Sequence, residues 1–229
     1  MEKWKVLVMI AHPDDETPCG GTIAKLAKQG HEVVIAVATN GNKGTHDSRV
    51  TPERIAQIRR REMERACELL GVSKLIWFGL DDGTLRENPF LKERVYRTIR
   101  TEKPDILITF DPWKKWDFHP DHRTIGHLAT EAGYLADGCW YFPEHMAEGI
   151  EPCKPREMYL FWSDEPNYAV DITDTFEQKY RAADAHVSQG SENMTFGRKH
   201  LEWLKSVVGT EEALYRETYR KVYQTALTI

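Results

Sequence analysis

Residues 6–16 read Val-Leu-Val-Met-Ile-Ala-His-Pro-Asp-Asp-Glu, an apolar run that ends in an imidazole and three consecutive carboxylates. An unbroken apolar stretch of this length, closed by polar residues, has the character of a strand buried on both faces of a parallel sheet. Its polar end then lies on the loop that leaves the strand. The same junction recurs downstream: the apolar run Ile106–Phe110 leads through a short loop to His119-Pro120-Asp121-His122.

Between and around these junctions, strand and helix signals alternate. A strand is expected at about 4–10, a helix at about 20–29, and a strand over His31–Ala38. Thr51 and Pro52 open a helix that Gly71 stops after Leu70, in keeping with capping preferences. A strand at Leu75–Phe78, a helix at about 90–101, the strand Ile106–Phe110 and a helix from Pro120 to about Ala136 follow. Beyond 137 come an aromatic segment, strands near Met158–Trp162 and Ala169–Ile172, and helices near 173–187 and 195–208. Short strands separated by helices imply a doubly wound, mostly parallel α/β sheet of order 3-2-1-4-5 with C-terminal additions. With no repeat, low-complexity tract or linker, residues 1–229 read as one domain: a core over 1–136, and 137–229 completing the pocket.

In that strand order the winding reverses between strands 1 and 4, and ligands bind outside the carboxyl ends of the strands at that switch. The two polar clusters follow strands 1 and 4, so two loops more than a hundred residues apart are expected to face each other. His12 and Asp15 can converge from the first loop, with His122 as a third ligand from the second. Two imidazoles and one carboxylate around Zn²⁺ leave one tetrahedral position open, as in catalytic zinc sites; Fe²⁺ and Co²⁺ suit the same donors. Asp14, beside a ligand, is positioned as general base. His119 offers charge stabilisation or proton donation, and Asp121 would orient a histidine. Asp-Asp or His-Pro alone is ordinary turn chemistry. Their matched positions at the switch favour the metal site.

The helix at 52–70 puts Arg59 on its apolar face, between Ile55 and Met63. A buried guanidinium is costly unless paired, so Arg59 should meet a carboxylate. That partner is either Glu62 one turn along, or a group at the site mouth, where Arg59 would also hold a substrate hydroxyl. Trp113, Trp116 and Phe118 before the second cluster, and Trp140, Tyr141 and Phe142 after the next helix, offer either sugar-stacking surface or core and interface packing. His31, His127, His145 and His200 have no partner pattern and read as structural or exposed, and His46 reads as a surface-loop residue.

Several classes are disfavoured. A net charge of −5 gives no footprint for nucleic acid or an anionic membrane. No apolar stretch reaches the roughly 20 residues that span a bilayer. Cys19, Cys67, Cys139 and Cys153 form no C-x-x-C pair, so neither a thiol knuckle nor a disulfide framework is indicated and the cytoplasm is the expected compartment. The strand-1 loop lacks G-x-G-x-x-G, and Asn40–Gly44 lacks the ending of a phosphate loop.

AHPDDE, the following GGTIAKLAKQGHEV, HPDH at 119–122, VDIT at 170–173 and AHVSQ at 185–189 together resemble the PIG-L/LmbE-like family of zinc-dependent N-deacetylases. The resemblance implies a Rossmann-like fold, removal of an acetyl group from an N-acetylglucosamine-type amino sugar or glycoconjugate, and a homo-oligomer. In some branches it implies cleavage of a larger amide, such as a thiol conjugate or antibiotic precursor. A zinc-binding module without catalysis is the alternative from another class, disfavoured by Asp14. Carried over, His12, Asp15 and His122 match the zinc ligands, Asp14 the base, and His119 and Asp121 the catalytic histidine and its supporting aspartate. Arg59 matches a substrate-side position, and His186 falls where members carry a His or Tyr that polarises the carbonyl. Two residues before HPDH, where some members place a tyrosine near the oxyanion, this chain has Asp117.

Overall fold

The computed structural model describes residues 2–191, 193–208, 210 and 212–223. Its first strand, β1 (Lys5–Ile10), is buried from Val6 onward, which is why its sequence does not alternate. Chain order then gives α1 (Gly20–Lys28), β2 (Glu32–Thr39), α2 (Pro52–Leu70), β3 (Lys74–Leu80), α3 (Leu91–Glu102), β4 (Ile106–Phe110), α4 (Pro120–Leu135), α5 (Glu144–Ala147), β5 (Glu157–Phe161), β6 (Tyr168–Asp171), α6 (Phe176–Ala183), α7 (Phe196–Val208) and β7 (Arg216–Tyr223).

Among the described residues, seven strands form one sheet of order β3-β2-β1-β4-β5-β7-β6. Strands β1 to β5 pair in parallel, in the expected order 3-2-1-4-5. The C-terminal addition is antiparallel: β7 inserts between β5 and β6, pairing Glu157 with Tyr223 and Tyr168 with Tyr219. Neither β7 nor the single turn α5 is expected from the sequence. In β7 the buried positions include Glu217 as well as Tyr219, so its two-residue period does not register as a hydrophobic one.

Local signals set the boundaries. The Thr51 hydroxyl accepts the Arg54 amide at 3.3 Å, Pro52 occupies the first turn of α2, and Gly71 ends it at φ +77°, a left-handed cap that glycine adopts without a Cβ clash. At α4 the cap is His119 itself, whose ring accepts the Asp121 amide. The helix expected over 173–187 ends earlier, at Ala183, and Val187–Gln189 forms a separate 3₁₀ turn.

Helices α1, α2 and α6 pack together, as do α3 and α4, with α4 against β4 and β1. Right-handed crossovers put the two groups on opposite faces of the sheet. The winding reverses where β1 meets β4, with Val6, Leu7 and Val8 opposite Ile106, Leu107 and Ile108. The loops carrying His12 and His122 leave the carboxyl ends of these two adjacent strands.

Candidate metal centre

Asp15 joins the two loops. Its Oδ2 lies 3.1 Å from His12 Nδ1, and its Oδ1 lies 3.4 Å from His122 Nε2. Oδ2 also accepts the His12 amide at 2.6 Å, which locks the carboxylate against the end of β1. Carboxylates hold the far nitrogens of both rings. His12 Nε2 faces Asp121 and Asp82, each at 3.2 Å, and His122 Nδ1 faces Asp117 at 3.1 Å. Such partners take the ring N–H and leave the opposite nitrogen with its lone pair. The nitrogens that face Asp15 are then the ones at which a cation could replace a proton.

This donor set fits a divalent cation: two imidazole nitrogens and an anionic oxygen on one side, an orienting carboxylate behind each imidazole on the other. Among the described residues, the groups of three whose donors all lie within 4.8 Å of one another are His12, His119 and His122, and His12, Asp82 and Asp121, with Asp15 in neither. Asp121 and Asp82 occupy the Nε2 side of His12, however, and only Asp15 meets the free nitrogen of both imidazoles.

The charges agree. Burial works against a charged His12, but Asp15, Asp121 and Asp82 outweigh it and hold its pKa well above the ordinary value. Burial likewise opposes a charged His122, yet Asp15 and Asp117 raise it to about 9. A proton and a metal ion compete for the same nitrogens, so the groups that attract the first favour the second. Burial alone would raise Asp15, but His122 and His12 hold it well below the carboxylate range.

Asp14 has φ +126°, a conformation that strains any residue with a Cβ. Burial pushes its pKa up to about 6, against the Arg59 charge, with the neighbouring Asp15 charge adding to the rise. Arg59 is 3% exposed, and its partner is Asp14 at 3.0 Å rather than Glu62. It also donates to the carbonyls of Pro13 and Gly41. Gly44 makes room for it: a Cβ there would stand 2.3 Å from Arg59 Nη1.

His119 ring Nδ1 accepts the Asp121 amide at 3.3 Å, which leaves any ring proton on Nε2. Burial, then the charges of His12 and His122, lower its pKa. Asp121 is fully buried and accepts the amides of Gly83 at 2.6 Å and Leu85 at 3.1 Å. Its carboxylate faces His12 Nε2 from the opposite loop at 3.2 Å. The His122 ring is layered between Phe110 (centroids 4.3 Å, 12° between planes) and His119 (4.5 Å, 22°).

These groups surround a cavity of about 460 Å³ lined by His12, Asp14, Asp15, Thr17, Pro18, Lys43, Gly44, Arg59, Asp82, His119, His122, Trp162, Phe196 and His200. Six of the eight residues expected at the site line it. Asp121 stands behind His12, and His186 lies elsewhere. His186 is fully buried with its Nε2 on Glu16 at 2.7 Å, off the cavity wall. Contact between His186 and a substrate carbonyl, expected from the resemblance, is not what this geometry offers.

The cavity also contains residues that sequence reasoning missed. Asp82 is the exception: Asp81-Asp82-Gly83 reads in the sequence as a turn after a strand with substrate contact possible, and Asp82 lines the cavity. His200 and Phe196 carried no such signal, because α7 reaches the cavity only through the packing of the C-terminal helices. The aromatic wall is Trp162, held at φ +57°, rather than the highly exposed Trp113, Trp116 and Phe118 or Trp140. Phe142 packs against the core, and His145 is buried on Glu93 and Arg100.

A doubly wound α/β sheet with a His/Asp group able to hold a cation at its switch point defines a broad class of proteins. Within it, this chain belongs to the PIG-L family (GlcNAc-PI de-N-acetylase), whose family model matches residues 7–133. A diacetylchitobiose deacetylase of Thermococcus kodakarensis is 36% identical over 191 residues, 83% of this chain and 72% of that protein. A mycothiol S-conjugate amidase of Streptomyces coelicolor is 31% identical over 178 residues, 67% of this chain and 60% of that protein. The solved N,N′-diacetylchitobiose deacetylase of Pyrococcus horikoshii, in complex with an inhibitor, superposes with a TM-score of 0.87 at 32% identity, covering 97% of this chain and 85% of that one.

Proposed function

We propose that this protein is a metal-dependent N-deacetylase that releases acetate from an N-acetylglucosamine-type sugar, with Zn²⁺ held by His12, Asp15 and His122. The observation that carries the proposal is the Asp15 carboxylate meeting the free nitrogens of two carboxylate-anchored imidazoles, with Asp14 on the same cavity wall. When bound, the cation supplies Lewis acidity, polarising an amide carbonyl and acidifying water.

The residues of the chain do the rest. Asp14 takes a proton from the attacking water as its oxygen bonds to the acetamido carbon. Arg59 keeps that carboxylate aimed into the cavity. Neutral His119 donates from Nε2 to the carbonyl oxygen as negative charge develops there, the task the resemblance implied for His186. Asp14 then passes its proton to the departing nitrogen as the C–N bond breaks, and acetate and the amine leave. Trp162, Lys43 and His200 offer an aromatic face and polar contacts for the sugar.

The test is acetate release from N-acetylglucosamine and N,N′-diacetylchitobiose by zinc-loaded protein. Asp14→Asn should keep its zinc and lose at least about 100-fold in turnover, the scale of general-base catalysis. Wild-type turnover in that variant removes the base assignment. The similarity to an amidase acting on a mycothiol S-conjugate favours a second reading, cleavage of a larger amide, and aryl amides in the same screen separate the two. We also read residues 1–229 as one cytoplasmic domain that assembles as a homo-oligomer. No helix among the described residues is long and apolar enough to cross a membrane.

A further inference from the structure

The 3₁₀ turn after α6 carries three polar side chains, and each closes on a different part of the scaffold that holds Asp14. His186 Nε2 meets Glu16 Oε1 at 2.7 Å, with both side chains at most 1% exposed. Glu16 lies two residues beyond Asp14 on the same loop. Ser188 donates its amide (2.7 Å) and its hydroxyl (2.6 Å) to the two oxygens of Glu62. Glu62 lies one turn beyond Arg59 on α2. Gln189 donates its amide Nε2 to the Gly44 carbonyl at 3.1 Å, and Gly44 is the residue packed against the Arg59 guanidinium. Arg59 in turn grips the Pro13 carbonyl and the Asp14 carboxylate. These four bonds end on Glu16 in the Asp14 loop, on Glu62 three residues along α2 from Arg59, and on Gly44 beside the Arg59 guanidinium, around the one described residue of the loop held at a positive φ without being glycine, Asp14 at +126°.

Strained conformations persist only where the surroundings over-determine them. Within the loop, the His12 amide bonds the Asp15 carboxylate at 2.6 Å and the Thr17 amide the Asp14 carbonyl at 3.0 Å, and further bonds that hold this backbone come from outside it. We propose that His186, Ser188 and Gln189 form a positioning clamp that fixes Asp14, through Glu16 on one side and through Glu62, Gly44 and Arg59 on the other. The clamp touches no substrate. It rests on the reading of Asp14 as the proton acceptor and gives His186 a part different from carbonyl contact.

The decisive variant leaves His186 intact. Ser188→Ala combined with Gln189→Ala removes the Ser188 hydroxyl bond to Glu62 and the Gln189 bond to Gly44, keeping the Ser188 amide and His186 bonds, at residues remote from the acyl group. With N,N′-diacetylchitobiose as probe, kcat should fall about 10-fold, since small misplacements of a reacting group cost up to about 100-fold. KM should stay within about 2-fold, the pattern of an interaction felt at the transition state rather than in binding. Bound zinc should match the native protein, and amide hydrogen exchange across residues 12–17 should quicken. His186→Gln, which keeps a donor for Glu16, should be milder than His186→Leu. Native kcat together with native exchange in the double variant overturns the clamp, as does inactivity confined to His186 variants, which direct contact by that ring predicts. Should Asp14→Asn prove fully active, the base reading fails by itself, and the exchange measurement alone judges the clamp.

Discussion

Removing Asp117 isolates what one carboxylate contributes to the centre. It faces His122 Nδ1 at 3.1 Å and accepts the His119 amide at 3.1 Å, so it favours one tautomer of His122 and sets the entry to α4. Partners of this kind are worth about 10–100-fold in metal affinity. Asp117→Ala should therefore weaken zinc by that factor in a chelator competition, with Asp117→Asn intermediate because its amide oxygen still accepts. Native affinity in the alanine variant would leave His122 without an orienting partner and contradict the assignment. In the sequence this aspartate read as a departure from a family tyrosine. Its chemistry became legible only when the fold turned it toward His122, because a spacing of five residues across a loop has no fixed geometry.

At the scale of elements, α2 and the loop after β2 work as a pair. The helix was legible to the residue, since Thr51, Pro52 and Gly71 are unambiguous end signals, and Arg59 on its apolar face demanded a carboxylate. Which carboxylate answered depended on the 40–44 loop, whose path no periodicity encodes. Gly44→Ala should push a methyl into the guanidinium. Overpacking of this kind costs about 1–3 kcal/mol, so urea unfolding should register that loss together with reduced turnover, whereas unchanged values would mean the loop yields freely. Helix α7 was located correctly, but its approach to the cavity was not legible: His200 meets Trp203 within its own helix, yet reaches Tyr180 and Lys179 of α6 only through tertiary packing. Burial, then the Lys179 charge, lower its pKa to about 3. A histidine depressed on folding takes up a proton on unfolding. The stability it confers is therefore present above the unfolded value near 6.5 and lost as the pH falls from there towards 3. His200→Gln should flatten the acid side of the stability curve between those values, measured by denaturant titration across pH; an unchanged slope would show that this ring does not titrate as described.

Across the described residues, the last strand is tied to the first helix by hydrogen bonds from two backbone amides, and to α6 by a buried ion pair, all through one carboxylate. Glu217 on β7 accepts the Gly21 and Thr22 amides at the start of α1, at 2.9 and 2.7 Å, and pairs with Lys179 of α6 at 2.7 Å with both side chains 3% exposed. Breaking a buried pair from one side costs about 3–5 kcal/mol, and Glu217→Ala should lose that much in chemical denaturation. A loss under about 1 kcal/mol would indicate that water reaches Lys179. The parallel half of the sheet was legible because its strands are nearly pure apolar runs. This C-terminal half was not, because it is joined by charge and by an antiparallel strand with polar residues turned inward.

The account depends most on one cation shared by two loops that leave neighbouring strands. Anomalous diffraction at the zinc edge, from crystals grown with zinc, tests it directly. A single peak within about 2.0–2.2 Å of His12 Nδ1, an Asp15 oxygen and His122 Nε2 is the predicted result. A peak coordinated by other residues, or none in that cavity at saturating zinc, would contradict it.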